Sequence, residues 1–227
     1  KGGDGAWRME QPVNCAADQM VIRQLIQRMQ LARIVQVAAP ASEDQPDATV
    51  RFAKGDDTVI ELEFRKPDDK EPTVLVKYSE RGTVVIQDDG LMTLLRLPHD
   101  QFREHAVFRR PLHEVTSVTV DTINKFTVAK KPDGAWQVTE PKQFPADAML
   151  VSVMLTNLRN AQIVDFIKDN AVAADFEKYG LANPWLNLEI NGTSVGGDRW
   201  KESIAFGTVD KRRAAARANG EPTIIGL

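Results

Sequence analysis

The sequence predicts an α+β protein built as a tandem repeat of a β-hairpin–helix–antiparallel β-meander unit. Three observations carry this. The 227-residue chain matches itself without a gap at an offset of 129 residues, the separation of Gly5 and Gly134. Within each copy, turn, strand and helix signals follow one another in the same order. The composition, with 42% apolar and 27% charged residues, is that of a globular protein able to bury a core.

The repeated stretches run from Asp4 to Val35 and from Asp133 to Val164. Identical pairs include Trp7/Trp136, Pro12/Pro141, Ala17/Ala146, Asp18/Asp147, Met20/Met149, Ala32/Ala161 and Ile34/Ile163. In the second copy, Lys125–Lys130 alternates like a strand, and Asp133-Gly134 turns the chain into a short strand, Ala135–Val138. Pro141 ends that strand, since it has no amide to donate. Asp147, like Asp18, is placed to cap a helix.

The helices follow from apolar spacing. Leu150, Val151, Met154, Leu155, Leu158 and Ala161 form one stripe, and Val21, Ile22, Leu25, Ile26, Met29 and Ala32 form its counterpart. The opposite face of the first helix carries Arg23, Gln24, Gln27, Arg28 and Arg33 and is read as solvated. Beyond the helices the copies diverge. The second passes through a helical turn stopped by Gly180, then strands at Trp185–Ile190, Glu202–Phe206, Ala214–Arg217 and Thr223–Ile225. In the first, a loop over 40–47 precedes strands at Thr49–Ala53, Thr58–Phe64, Thr73–Tyr78 and Thr83–Gln87. The units are expected over 1–110, lacking an N-terminal strand, and 111–227, cut at its C-terminal end. A counterpart of the strand Val115–Val120 falls ahead of the first residue, so the chain is read as an excerpt of a longer protein.

The string Gly134-Ala135-Trp136, Pro141 and Ala146-Asp147 leads into an apolar helix and then Tyr179-Gly180-Leu181 and Pro184. Together with Ile204-Ala205-Phe206-Gly207, it resembles domain-of-unknown-function family 4340. The resemblance covers nearly the whole chain and is clearest over Val115–Leu227, although the first copy lacks the Tyr-Gly-Leu element. It implies a bacterial envelope protein with a membrane anchor, on the extracytoplasmic face of the membrane. It further implies association with ABC transporters of the gliding-motility or auxiliary-export type. It supplies no catalytic residues.

Gly192-Thr193-Ser194-Val195-Gly196 fits a serine-hydrolase elbow, but no helix pattern follows and His99, His105 and His113 all precede Ser194. The histidine spacings do not place two imidazoles on one helix face, so no metal is expected. Cys15, the only cysteine, has Phe144 as its repeat partner and is read as a packing residue. Trp7 and Trp136 are expected to clamp the hairpin to its helix. Trp200, in a polar loop, is the aromatic candidate for a contact surface, and Arg212, Arg213 and Arg217, near a strand, are the basic candidates. That basic cluster, with Lys211, is read as a solvated strand edge. A net charge of −3 and the absence of a phosphate loop or dinucleotide fingerprint argue against nucleic acid and nucleotide cofactors. The expected function is therefore a non-catalytic interaction or scaffold domain whose partners are envelope or transporter proteins. It would touch the membrane only through a segment outside this chain, and it would bind no cofactor. The alternative is a ligand-binding module for glycan or lipid in the cleft between units, and a hydrolase at Ser194 comes third.

Overall fold

The computed structural model describes residues 6–38, 45–54, 57–66, 68, 70–78, 82–210 and 213–227. Asp4, Gly5, most of the expected loop over 40–47, Lys211 and Arg212 lie outside the described residues. The protein is mixed α and β, with mostly antiparallel sheets and few helices. It divides into two compact units, Lys1–Glu104 and His105–Leu227.

The first unit opens with β1 (Arg8–Met9) and β2 (Cys15–Ala16), which pair with each other, followed by α1 (Gln19–Leu31). Then come β3 (Ile34–Ala38), β4 (Ala48–Lys54), β5 (Asp57–Arg65), β6 (Thr73–Tyr78) and β7 (Gly82–Gln87), forming a sheet in the order β3-β7-β6-β5-β4. A short helix, α2 (Leu91–Leu95), and a 3-10 turn at His99–Phe102 close the unit. The four meander strands lie where alternating residues place them: Val74, Val76 and Ile86 point inward and are buried with Phe64, Leu91 and Met92. Arg33 follows α1 rather than sharing its face, because the helix ends at Leu31.

Lys66 and Asp88 form an ion pair with side chains only 10% and 6% exposed. Asp88 also accepts from the Met92 amide at 3.2 Å, which anchors the start of α2. Burial alone would raise its carboxyl, but the Lys66 ammonium and the Met92 and Leu91 amides outweigh it and hold it below the ordinary carboxylate range. Asp47 is lowered too, first by the Lys66 amide and then, against burial, by Arg96. A lowered carboxyl contributes stability above its unfolded value and loses it as pH falls through the folded one. Unit 1 should therefore weaken in urea below about pH 4. Asp88→Asn leaves the Lys66 charge buried and unpaired and should cost about 3 kcal/mol at neutral pH. It should also flatten the acid dependence.

The second unit begins with a 3-10 turn at Leu112–Glu114 and the strands β8 (Val115–Asp121), β9 (Phe126–Lys130), β10 (Trp136–Glu140) and β11 (Phe144–Pro145). Next are α3 (Ala148–Asn160), β12 (Asp165–Lys168) and α4 (Ala173–Lys178). The strands β13 (Leu186–Thr193), β14 (Arg199–Thr208), β15 (Ala214–Ala218) and β16 (Ile224–Gly226) complete it. All nine strands join one sheet in the order β11-β10-β9-β8-β13-β14-β15-β16-β12. Its core runs from Val115, Val118, Val120 and Val128 on the ribbon to Val151, Leu155 and Leu158 on α3, with Leu188, Ile190 and Ile204 beneath.

At the offset of 129 the hairpin–cap–helix segments share their geometry. Arg8 faces Ala16 and Met9 faces Cys15, while Gln137 faces Pro145 and Val138 faces Phe144. The bonds before Pro12 and Pro141 are both cis. The Trp7 carbonyl accepts from Ala17 at 3.2 Å and the Trp136 carbonyl from Ala146 at 3.1 Å. Asp18 accepts from the Met20 and Val21 amides at 2.7 and 3.0 Å, and Asp147 from Met149 and Leu150 at 2.8 and 3.2 Å. Each cap satisfies two amides that the first turn cannot. Asp18→Ala and Asp147→Ala should each cost about 1 kcal/mol, and hydrogen exchange should rise first in the first turn of the helix affected.

Several expectations need correction. Leu150 turns outward rather than toward the sheet, because it sits a helical step away from the buried line Val151, Leu155 and Leu158. Phe144 lies on the edge strand β11 and is 51% exposed, so the position it shares with the half-buried Cys15 is no core site. Strand β15, which carries Arg217, is not an edge, since β14 and β16 flank it. Trp200 lies on β14 rather than in a loop. Trp7 and Trp136 are both half-buried, and Trp136 packs against the unit's core.

Candidate interaction surface

Trp200 and the basic residues Arg213 and Arg217 occupy different settings. Trp200 is half-buried between other side chains. Its indole N–H donates to Glu114 at 3.1 Å, Phe108 lies 6.2 Å away ring to ring, and the Arg110 guanidinium sits 5.3 Å over its ring. Arg110 in turn donates to Glu202 at 3.1 Å. Gly192 faces the indole on the neighbouring strand, where a Cβ would fall 2.0 Å from the ring. On the same two strands, Lys201 pairs with Glu189 at 2.8 Å, and this hydrogen bond, against burial, lowers the Glu189 carboxyl. Arg213 donates to Asp210 at 3.0 Å and lies 3.8 Å from Asp165. Arg217 stacks on Phe176 at 4.1 Å and donates to the Gly220 and Glu221 carbonyls. Their charges are thus held by their own unit.

The Tyr179-Gly180-Leu181 stretch and Gly207 form one assembly. Gly180, at φ 68°, ends the turn after α4, and Leu181 folds back so that its amide donates to Phe176 at 2.7 Å. The Tyr179 carbonyl accepts from Thr208 at 2.8 Å. Gly207 passes so close that a Cβ there would lie 1.9 Å from that same oxygen. After Pro184, the Trp185 indole donates to the Gly207 carbonyl at 2.9 Å. Tyr179, Gly180, Trp185 and Gly207 therefore lock the α4 turn onto β14, with Pro184 in the connection just before Trp185.

Ser194 sits in the β13–β14 turn, where its hydroxyl accepts from the Asp198 amide at 3.1 Å, and a strand follows it instead of a helix. His105 stacks edge-on against Phe166, and His99 lies 3.2 Å from Asp100. Among the described residues no group of three His, Cys, Asp or Glu is placed to hold a metal ion. No helix among them is long and apolar enough to cross a membrane.

A surface that sequence reasoning missed lies on α3. The inner line of this helix is buried, yet Met149, Leu150 and Val153 are 76%, 66% and 50% exposed on its other side. A helix apolar on both sides has more apolar surface than its own sheet can cover. Phe144, on the strand entering the helix, adds a fourth exposed apolar side chain. The signal was present in the sequence, since Met149, Leu150 and Val153 stand at i, i+1 and i+4, a face distinct from that of Val151 and Leu155. On α1 the matching positions are Met20, Val21 and Gln24, of which Met20 is 67% exposed, Val21 half-buried and Gln24 exposed.

The fold and this surface define a two-unit α+β protein with antiparallel sheets and an uncovered apolar helix face. Residues 136–226 match the model of the family described as a domain of unknown function, DUF4340. The match spans the Trp136-to-Asp147 string, α3 and the Gly180–Gly207 assembly, the elements that carry the resemblance in the sequence. Comparison with curated proteins and with solved structures gives no match.

Proposed function

We propose that the chain is a non-catalytic interaction domain made of two copies of one module, working on the extracytoplasmic face of a bacterial envelope as an auxiliary to an ABC-type transport system. The observation that carries the interaction reading is the outer face of α3, where Met149, Leu150 and Val153 stand exposed on a helix whose opposite side is already buried. Unbranched methionine adapts to irregular partner surfaces. The packing of Trp200 against Phe108, Arg110 and Glu114 favours a protein partner over a glycan stacked on that ring.

The two-module reading is supported by strand order. The sequence β4-β5-β6-β7-β3 in one unit parallels β13-β14-β15-β16-β12 in the other. In both, the strand after the helix pairs with the last meander strand through a register shift. The envelope and transporter assignments rest on the family resemblance.

Affinity capture of the full-length protein from native membranes tests the function. A transporter component should be recovered with the wild type and lost with Leu150→Glu. That substitution leaves the core untouched and puts an acid in the first turn of a helix, where it is tolerated. Recovery of no transporter component would overturn the assignment.

A further inference from the structure

Unit 2 contains two strands that unit 1 does not show among its described residues. There, β8 and β9 bridge the hairpin β10–β11 to the meander, with β9 on β10 and β8 on β13. In unit 1 the corresponding strands are β1 and β4. Among the described residues β1 pairs only with β2, and β4 only with β5, so two backbone edges stand open there where unit 2 has closed ladders.

The packing around α1 shows the same gap from the side-chain direction. Val151, Leu155 and Leu158 on α3 are buried, while their counterparts Ile22, Ile26 and Met29 are not, and α1 buries no residue fully. The difference is the ribbon: Val115, Val118, Val120 and Val128 are all core residues of unit 2. On β4, Phe52 lies on the same face as the buried Phe64 yet is 37% exposed, whereas Ile190 on β13 is 0% exposed. A groove of about 280 Å³ also stays open between α1 and the sheet, lined by Met29, Leu62, Phe64 and Tyr78.

We infer that unit 1 is completed by a two-stranded antiparallel ribbon inserted between β4 and β1, its alternate apolar residues facing α1. The inference rests on the two-module reading. The occupant is a ribbon of the same polypeptide whose second strand leads into Asp4-Gly5, the sequence position of the Asp133-Gly134 turn that follows β9. Such pairing uses main-chain hydrogen bonds for affinity and the inward side chains for specificity. It also covers an edge that would otherwise recruit other chains.

The test extends the full chain with a copy of its own residues 113–129 ahead of Lys1, beside a control with those residues in scrambled order. Hydrogen exchange is read at β4, α1 and, as a check of folding, β13. The copy should slow β4 and α1 exchange by about tenfold or more, and the scrambled control should not. Equal exchange in the two extended chains overturns the inference, as does a β4 already protected in the unextended chain through a concentration-dependent dimer. Loss of protection at the Asp18-capped amides of Met20 and Val21 would instead indict the two-module reading.

Discussion

Gly207→Ala should cost unit 2 about 3 kcal/mol or more, the largest loss expected from adding one methyl group to this protein. A Cβ at Gly207 would lie 1.9 Å from the Tyr179 oxygen and 3.0 Å from its carbonyl carbon, both backbone atoms that no rotamer change can move. Relief requires β14 to retreat from the α4 turn. That movement breaks the Thr208–Tyr179 hydrogen bond and the bond from the Trp185 indole to the Gly207 carbonyl. Urea denaturation followed by tryptophan fluorescence measures the loss. A cost below about 0.5 kcal/mol, the range of an ordinary surface change, would mean the turn and strand are not locked together.

The second large effect is a difference between two matched sites. Leu155→Ala should cost about 3 kcal/mol, because the side chain is 5% exposed and its removal leaves a cavity in the core it shares with Val118, Val128 and Leu158. Ile26→Ala, at the same position of α1, should cost only about 1 kcal/mol, since Ile26 is only half-buried and water already reaches it. Equal costs at the two sites would show that α1 is as fully packed as α3. Unit-resolved hydrogen exchange separates the two responses, because each unit has its own core.

Much of this fold was legible because its signals are local. Pro141 ends β10 at Glu140, Asp18 and Asp147 cap their helices, and β6 has the bounds that alternation gave it. What escaped depends on contacts distant in sequence. The two-residue strands β2 and β11 have no period to read and exist only through pairing. Whether β15 is an edge depends on strand order, and Arg217 was misjudged for that reason. Trp200 follows a polar stretch rich in glycine, but the turn closes between Ser194 and Asp198, so the strand has resumed before the indole is reached. On α3 the apolar residues were all visible. Which of them face the sheet was decided by one helical step, and that step sends Leu150 to the outside.

The proposal that α3 docks a protein partner is tested most directly by photo-crosslinking in native membranes. A photoreactive residue is placed at position 149 or 153 on the exposed apolar face, or at position 152 or 159, both exposed on another side of the same helix. The account predicts a discrete adduct from 149 and 153 and none from 152 and 159. Adducts of equal yield from all four positions, or from none, would contradict it.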